Sequence, residues 1–231
     1  MLRVSVVRAI LKARVSARAL ERRRIELPPV VRGCARADFP AFTRLSSRRA
    51  YRVSDAMTRI GQDTGSIEVF TFREGALSAL GHDLRLRVSR FDIDLLADSV
   101  SARVEASSLR VVGAMRGGNP ADGTLSDRDK ADIERNCARD VLEAQKFAEA
   151  TFVSSEVKQI EGGWSVRGTL TIHGVAHEGT FHVQRKDGRA IARIDVDIRS
   201  FRMKPYSAML GALRVKPQVL VVVETPAPGG G

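Results

Sequence analysis

Four histidines carry the most versatile side-chain chemistry in this sequence: His82, His173, His177 and His182. The last three lie close enough along the chain to suggest a shared metal ion. In an extended strand, however, successive side chains point to opposite faces, so His177 and His182 are expected on opposite sides while His173 falls in a turn. We therefore predict that this cluster is not a metal site.

Few residues suggest covalent or redox catalysis. The two cysteines, Cys34 and Cys137, have spacing that fits neither a disulfide framework nor a zinc site. Serine-elbow, phosphate-loop, zinc-helix and dinucleotide fingerprints do not occur in the sequence. Two pairs of carboxylates alternate with apolar residues and are expected to face solvent: Asp92 with Asp94, and Asp195 with Asp197. We predict a protein that is not an enzyme and that needs no cofactor.

Positive charge is concentrated at the start of the chain. The net charge is +11, and the first 56 residues contain 14 Lys and Arg against four acidic residues. The remainder is close to neutral, whereas a nucleic-acid groove requires its positive charge on the folded surface. The charge distribution therefore predicts no nucleic-acid partner.

Residues 1–60 are interpreted as a basic leader outside the folded domain, and three explanations stay open. In the first explanation, Met57 is the true start of translation and the preceding residues belong to an over-extended gene model. Alternatively, Leu2, Val6 and Ile10 lie at helical spacing among arginines, as in a helix that lies on an anionic membrane. The third explanation is an organelle-targeting peptide or a disordered arm.

Apolar runs are short throughout the sequence. None approaches the roughly 18 residues that a transmembrane helix requires. Arginines also interrupt every apolar stretch between Leu2 and Leu27, unlike the uninterrupted core of a secretory signal. We expect no transmembrane segment and a cytoplasmic location, with a periplasmic one less favoured.

After Gly61 the apolar residues recur with a period of two, which is typical of strands with one buried face. A change of parity at Ser89-Arg90 suggests a bulge or corner within the second strand. The predicted strands are 67–72, 84–95, 100–106, 151–160, 164–172, 175–185, 189–201 and 214–224.

One helix interrupts the strands. Ser126 can cap it, and Ile133, Cys137 and Val141 follow at a spacing near 3.6 residues, which predicts a helix to about Lys146. The fold class is therefore all-β and mainly antiparallel, an up-and-down barrel of about eight strands with one helix between the third and fourth. Closure is favoured because it removes exposed strand edges. The barrel should span residues 61–225, with residues 226–231 forming a disordered tail.

The alternation also nominates the side chains that face the barrel interior. Each could pack in an ordinary core or could line a cavity for an apolar ligand, where every buried CH₂ contributes about 0.8 kcal/mol. These candidates are Phe70, Phe72, Phe91, Ile93, Trp164, Val166, Leu170, Phe181, Val183, Ile194, Val196, Ile198, Val219 and Val221. Polar groups that could orient a ligand at the mouth are His82, Arg85, His173 and Tyr206.

Three segments resemble one protein family in order along the chain. They are Gly168-Thr-Leu-Thr-Ile-His-Gly-Val175, the helix-to-strand segment Asp140–Phe152, and Ala79-Leu-Gly-His-Asp-Leu84. Together they resemble the YceI-like family, lipocalin-like barrels associated with the binding of polyisoprenoids or other lipids. The common forms of the second segment have a proline near Ala148, which this sequence lacks.

The resemblance implies non-enzymatic binding, carriage or sequestration of an apolar lipid, an isoprenoid or a quinone-like molecule, as the bound ligand and partner. Many members of the family are periplasmic or secreted. The alternative is a barrel filled by its own side chains that acts as a partner-binding or stress-response module. A homodimer is left open.

Overall fold

A computed structural model describes residues 57–75, 81–208 and 213–228. The three explanations of residues 1–56 concern residues outside this description. Within the described residues, no helix has the length and apolar character needed to cross a membrane.

The described residues form fifteen strands of two to twelve residues and one α-helix. The strands are β1 (Thr58–Ile60), β2 (Ser66–Thr71), β3 (Arg73–Glu74), β4 (Asp83–Val88), β5 (Phe91–Leu95), β6 (Val100–Glu105), β7 (Leu109–Arg116), β8 (Asn119–Pro120), β9 (Glu149–Ile160), β10 (Gly163–Ile172), β11 (Val175–Lys186), β12 (Arg189–Asp197), β13 (Ser207–Ala208), β14 (Leu213–Val215) and β15 (Gln218–Pro226). The helix α1 (Asp127–Asn136) continues into a π-helical turn, Cys137–Val141.

The main sheet closes on itself. Strand β2 pairs with β4, which continues through Ser89 and Arg90 into β5, and β5 pairs with β6. From β6 the antiparallel ladder passes through β9, β10, β11, β12 and β15, and β15 pairs with β2. Strand β6 likewise continues into β7 through a 3₁₀ turn, Ala106–Ser108, and β7 pairs with β4. With each bent strand counted once, the ring has eight strands and the helix follows the third, so the predicted fold class is confirmed.

The bend in the second and third strands is held by a buried serine. Ser108 is fully buried, and its Oγ donates to the carbonyl oxygen of Glu105 at 2.7 Å and lies 3.2 Å from the carbonyl oxygen of Arg90. The carbonyl oxygen of Ser108 accepts hydrogen bonds from the backbone N–H and the Oγ of Ser89, at 2.9 and 2.8 Å. The corner predicted at Ser89-Arg90 is therefore present, and its buried backbone groups are satisfied.

Helix α1 covers part of one edge of β7. The other edge of β7 pairs with β4. On the edge that faces α1, β8 pairs with Met115 and Arg116, and no described strand pairs with residues 109–114. Glu134 of α1 accepts a hydrogen bond from the backbone N–H of Val111 in β7 at 2.7 Å. Ser126 and Asp129 form a capping box at the start of the helix. The regular helix ends at Asn136, earlier than predicted, and the chain reverses at Glu143, whose φ is 45°.

Both predicted domain boundaries need correction. Thr58–Ile60 belongs to the barrel, because β1 pairs with β5. At the other end β15 runs to Pro226, and Ala227 is buried and donates its N–H to the carbonyl of Gly188 at 2.9 Å. Residues 226–228 are therefore held on the barrel by hydrogen bonds to their backbone, although of their side chains only that of Ala227 is buried. Residues 229–231 lie outside the description.

We predict that Ser108→Ala lowers the free energy of unfolding by about 1–3 kcal/mol, because the carbonyl of Glu105 loses its hydrogen bond from the buried Ser108 hydroxyl. Ser107→Ala is the matched control, since Ser107 is one residue away and exposed, and should change stability by less than about 0.5 kcal/mol. Urea unfolding followed by far-UV circular dichroism measures both. Equal destabilisation by the two substitutions would contradict the role given to Ser108.

Candidate functional site

The barrel encloses a cavity of about 1430 Å³. Its wall includes His82 and His173 at one end of the barrel and Trp164 and Pro228 at the other, so the cavity runs the length of the barrel. Most of the wall residues on the strands are aliphatic or aromatic. The cavity can therefore accept a long apolar molecule.

Most of the side chains predicted to face inward lie on the cavity wall. Several of them are only half-buried although they point into the barrel, because the space in front of them is unfilled. The predicted residues on the wall are Ile93, Trp164, Val166, Leu170, Phe181, Val183, Ile194, Val196, Ile198, Val219 and Val221. Their contact with a ligand stays a prediction.

Three predicted phenylalanines do not line the cavity. Phe70 and Phe72 lie on the opposite face of the strand from Val69 and Thr71, which do line it, and Phe72 is 38% exposed. The first strand is apolar on both faces, and the large rings were wrongly taken as the inward set. Phe91 does point inward, but it is buried in a packed core with Ile60, Ile67, Val88 and Ile93.

Other wall residues were missed. Leu84 and Leu86 line the cavity and alternate with arginines, so the alternation of the second strand already contained the signal. Ile133, Cys137 and Val141 reach the wall from α1 and the π-helical turn. The sequence showed that these residues form an apolar stripe, but it did not show that the stripe faces the barrel cavity.

The proposed mouth residue Arg85 lies outside the cavity. Its Nε and Nη2 donate to the two carboxylate oxygens of Glu68 at 3.0 and 2.6 Å, and Arg87 donates to Glu68 at 2.8 Å. Burial of the Glu68 side chain opposes its ionisation, but the hydrogen bonds from Arg85 and Arg87 outweigh burial and lower its pKa. Because even-numbered residues of β4 line the cavity, Arg85 points outward and forms part of this structural ion network.

The other polar candidates, His82, His173 and Tyr206, line the cavity. The side chain of His173 is only 8% exposed, and its ring centroid lies 3.8 Å from that of Phe147. Its Nε2 is 3.3 Å from Oε1 of Glu143 but lacks hydrogen-bond geometry with it. Among the described residues, this Nε2 is the one buried side-chain nitrogen or oxygen without a hydrogen-bond partner.

The glycines of the motif 168–175 have physical roles. A Cβ on Gly168 would lie 2.4 Å from the carbonyl oxygen of Val153 and 2.6 Å from the ring of Phe152, so only glycine fits there. The register between β9 and β10 shifts at the same place. His173 and Gly174 both have positive φ, 52° and 71°, and form the two-residue turn that delivers the imidazole to the end of the cavity.

The remaining chemical candidates lie apart from one another. His177 and His182 are exposed, and His177 Nε2 lies 2.9 Å from the carbonyl oxygen of Ser200. Over the described residues, no group of three His, Cys, Asp or Glu side chains could hold a metal ion. Burial raises the pKa of the Cys137 thiol to about 11, with a further contribution from Glu134, so the thiol stays protonated near neutral pH.

The opposite end of the cavity has its own polar residue. Arg185 lies over the ring of Trp164, with its Cζ 4.7 Å from the ring centroid. Its Nη2 also donates to the carbonyl oxygen of Pro228 at 2.7 Å. This arrangement holds the last described residues against the end of the barrel.

A model of the YceI-like domain matches residues 51–227, so this chain belongs to the YceI-like family. Among solved structures, BcnA of Burkholderia cenocepacia is 15% identical over 70% of this chain and 96% of its own, with a TM-score of 0.46. Another solved structure is a polyisoprenoid binding domain from Saccharophagus degradans that is implicated in plant cell wall breakdown. It is 13% identical over 75% of this chain and 99% of its own, also with a TM-score of 0.46.

A YceI protein of Campylobacter jejuni is 16% identical over 55% of this chain and 71% of its own, with a TM-score of 0.34. No curated protein matches the chain significantly. The family assignment therefore rests on the sequence match over residues 51–227.

We predict that acid weakens this fold partly through Glu68. Folding lowers the pKa of the Glu68 carboxyl below its ordinary value of 4.5, so the carboxylate stabilises the protein fully above that pH. This contribution is lost as the pH falls through the lowered pKa. Glu68→Gln should lower the free energy of unfolding by about 1–3 kcal/mol at pH 7 and flatten its decline below pH 4.5.

The matched control is Glu178→Gln, because Glu178 is a highly exposed partner of Arg167 on the same barrel. Denaturant unfolding between pH 2.5 and 7 measures both variants. A Glu68→Gln variant with the same acid dependence as the unmodified protein would exclude this assignment.

Proposed function

We propose that this protein binds and carries, or sequesters, an apolar lipid inside its barrel, and that the lipid is an isoprenoid. The observation that carries the proposal is the apolar cavity of about 1430 Å³ that extends between the barrel ends. Membership in the YceI-like family supports it, because that family is associated with lipid binding. The Saccharophagus degradans relative is itself described as a polyisoprenoid binding domain.

The size and shape of the cavity favour a long, slender ligand. Pockets for drug-sized molecules measure about 300–1,000 Å³, so this cavity has room for a longer chain. Each CH₂ moved from water to the wall contributes about 0.8 kcal/mol, and a prenyl chain supplies many such groups. Affinity then comes mainly from burial, with few polar contacts required.

Enclosure is the mechanism that we propose, with no covalent step. The Cys137 thiol on the wall is protonated, and the wall histidines His82 and His173 serve the ligand as polar contacts in this account. A filled barrel that works only through its surface was the alternative, and the volume of the cavity disfavours it. The cytoplasmic location and the homodimer stay predictions.

Trp164 offers a direct test, because it is the single tryptophan of the chain and lies on the cavity wall. Addition of an isoprenoid alcohol such as geranylgeraniol should change its fluorescence in a saturable manner. The variant Ala102→Phe places a ring in the cavity between the positions of Ile93 and Phe152 on the neighbouring strands.

If this ring displaces about two CH₂ groups of the ligand, affinity should fall about tenfold. Ala176→Phe is the matched control, since Ala176 is exposed on β11 and should leave affinity unchanged. Saturable binding that is insensitive to Ala102→Phe, or no fluorescence change with any apolar ligand, would contradict the proposal.

A further inference from the structure

We propose that His173 recognises an uncharged oxygen atom on the head of the ligand, through a hydrogen bond donated by Nε2. This inference rests on the proposed function and adds to it the chemical class of the head group. It also fixes the orientation of the ligand, with its head at the barrel end formed by the β10–β11 turn.

The Nε2 atom of His173 has no hydrogen-bond partner in the part of the chain that the structure describes. Buried polar atoms in folded proteins almost always have a hydrogen-bond partner, and each exception requires an explanation. His173 Nε2 is buried and unpartnered, on the wall of a cavity that is otherwise mostly apolar. An oxygen atom of a bound ligand would satisfy it.

The imidazole is held in place for this role. The turn at His173-Gly174 fixes the backbone with positive φ at both residues. One side of the ring is covered by Phe147 at a centroid distance of 3.8 Å, with an interplanar angle of 42°. A restrained ring loses little conformational freedom when it forms a hydrogen bond with a ligand.

Glu143 indicates which atom the ligand must present. Its Oε1 lies 3.3 Å from Nε2, and the negative charge of a carboxylate this close disfavours a lone pair on that nitrogen. The tautomer with a proton on Nε2 is therefore favoured, so His173 acts as a donor and the ligand supplies an acceptor. A hydroxyl or a quinone carbonyl oxygen meets this requirement.

The same carboxylate disfavours an anionic head such as a diphosphate at this position. Arg73 and Arg214 also line the cavity and are the residues that would hold an anionic head. Arg73 is already engaged, because its Nη1 donates to the carbonyl of Gly81 and its Nε lies 3.9 Å from the Asp83 carboxylate. Lys146 is a further cation near His173, and its Nζ lies over the ring of Phe147, 4.9 Å from the ring centroid.

The test compares ligands of one prenyl length that differ only at the head: geranylgeraniol, a quinone with a geranylgeranyl tail, the corresponding hydrocarbon, and geranylgeranyl diphosphate. Affinities for the full chain are measured through Trp164 fluorescence. The variant is His173→Asn, because asparagine tolerates positive φ and Asn-Gly is the favoured sequence for such a turn, whereas its short amide does not replace the imidazole. His182→Asn is the matched control, since His182 is exposed on β11.

We expect the unmodified protein to bind the alcohol or the quinone about fivefold to tenfold more tightly than the hydrocarbon. His173→Asn should abolish this preference and leave the affinity for the hydrocarbon within about twofold, while His182→Asn retains it. A structural defect would instead weaken all ligands together. Whether the alcohol or the quinone binds more tightly separates the two sources of the neutral oxygen.

Four results would overturn the inference. Equal affinities of the unmodified protein for the alcohol, the quinone and the hydrocarbon would remove the head-group contact but leave lipid carriage standing. A preference that survives in His173→Asn, or tightest binding of the diphosphate, would assign recognition to other residues. Failure of every ligand to bind would overturn the proposed function as well.

Discussion

Closure of the backbone hydrogen-bond ladder is the constraint on which the rest of this structure depends. An apolar cavity is tolerable only if the backbone groups around it are satisfied within the wall. The ring achieves this by bending two strands at one corner, so that β4 and β5, and likewise β6 and β7, serve as single continuous strands. Ser108 donates to the carbonyl of Glu105 at the bend, and Glu134 of α1 accepts from the backbone N–H of Val111 on the edge of β7.

The closed wall explains how packed cores and a cavity coexist. One packed cluster surrounds Phe91, and another contains Val196, Phe201 and Val219. Around them the inward side chains alternate with outward polar ones, so the wall presents apolar groups to the interior and charged pairs such as Glu68 with Arg85 to the outside. The interior wall is thus mostly apolar, and His173 is one of its few buried polar side chains.

Much of this architecture could be predicted because strand periodicity is a local property. The hairpins in the second half of the chain follow from alternation and from turns such as Lys186-Asp-Gly188. The prediction was wrong where periodicity did not decide the face, as at Phe70 and Phe72 in a strand that is apolar on both sides. It was also wrong at residues 226–228, whose packing depends on backbone hydrogen bonds rather than on side-chain pattern.

The state of the candidate site was less predictable for a different reason. His173 could be nominated from its sequence position. That its Nε2 lacks a hydrogen-bond partner within the described ranges could not be predicted, because its surroundings are formed by Phe147 and Glu143 from another segment of the chain. Arg85 was nominated as a polar group at the mouth and is instead paired with Glu68, because parity within β4 directs it outward. Long-range contacts of this kind leave no local signal in one sequence.

We propose that the cavity holds an apolar lipid. Native mass spectrometry of the protein purified from its own host, followed by organic extraction and identification of the released molecule, tests it most directly. We predict one isoprenoid bound per chain, with a neutral oxygen on its head group. A folded protein that is recovered empty, and that takes up no isoprenoid on incubation, would contradict the account.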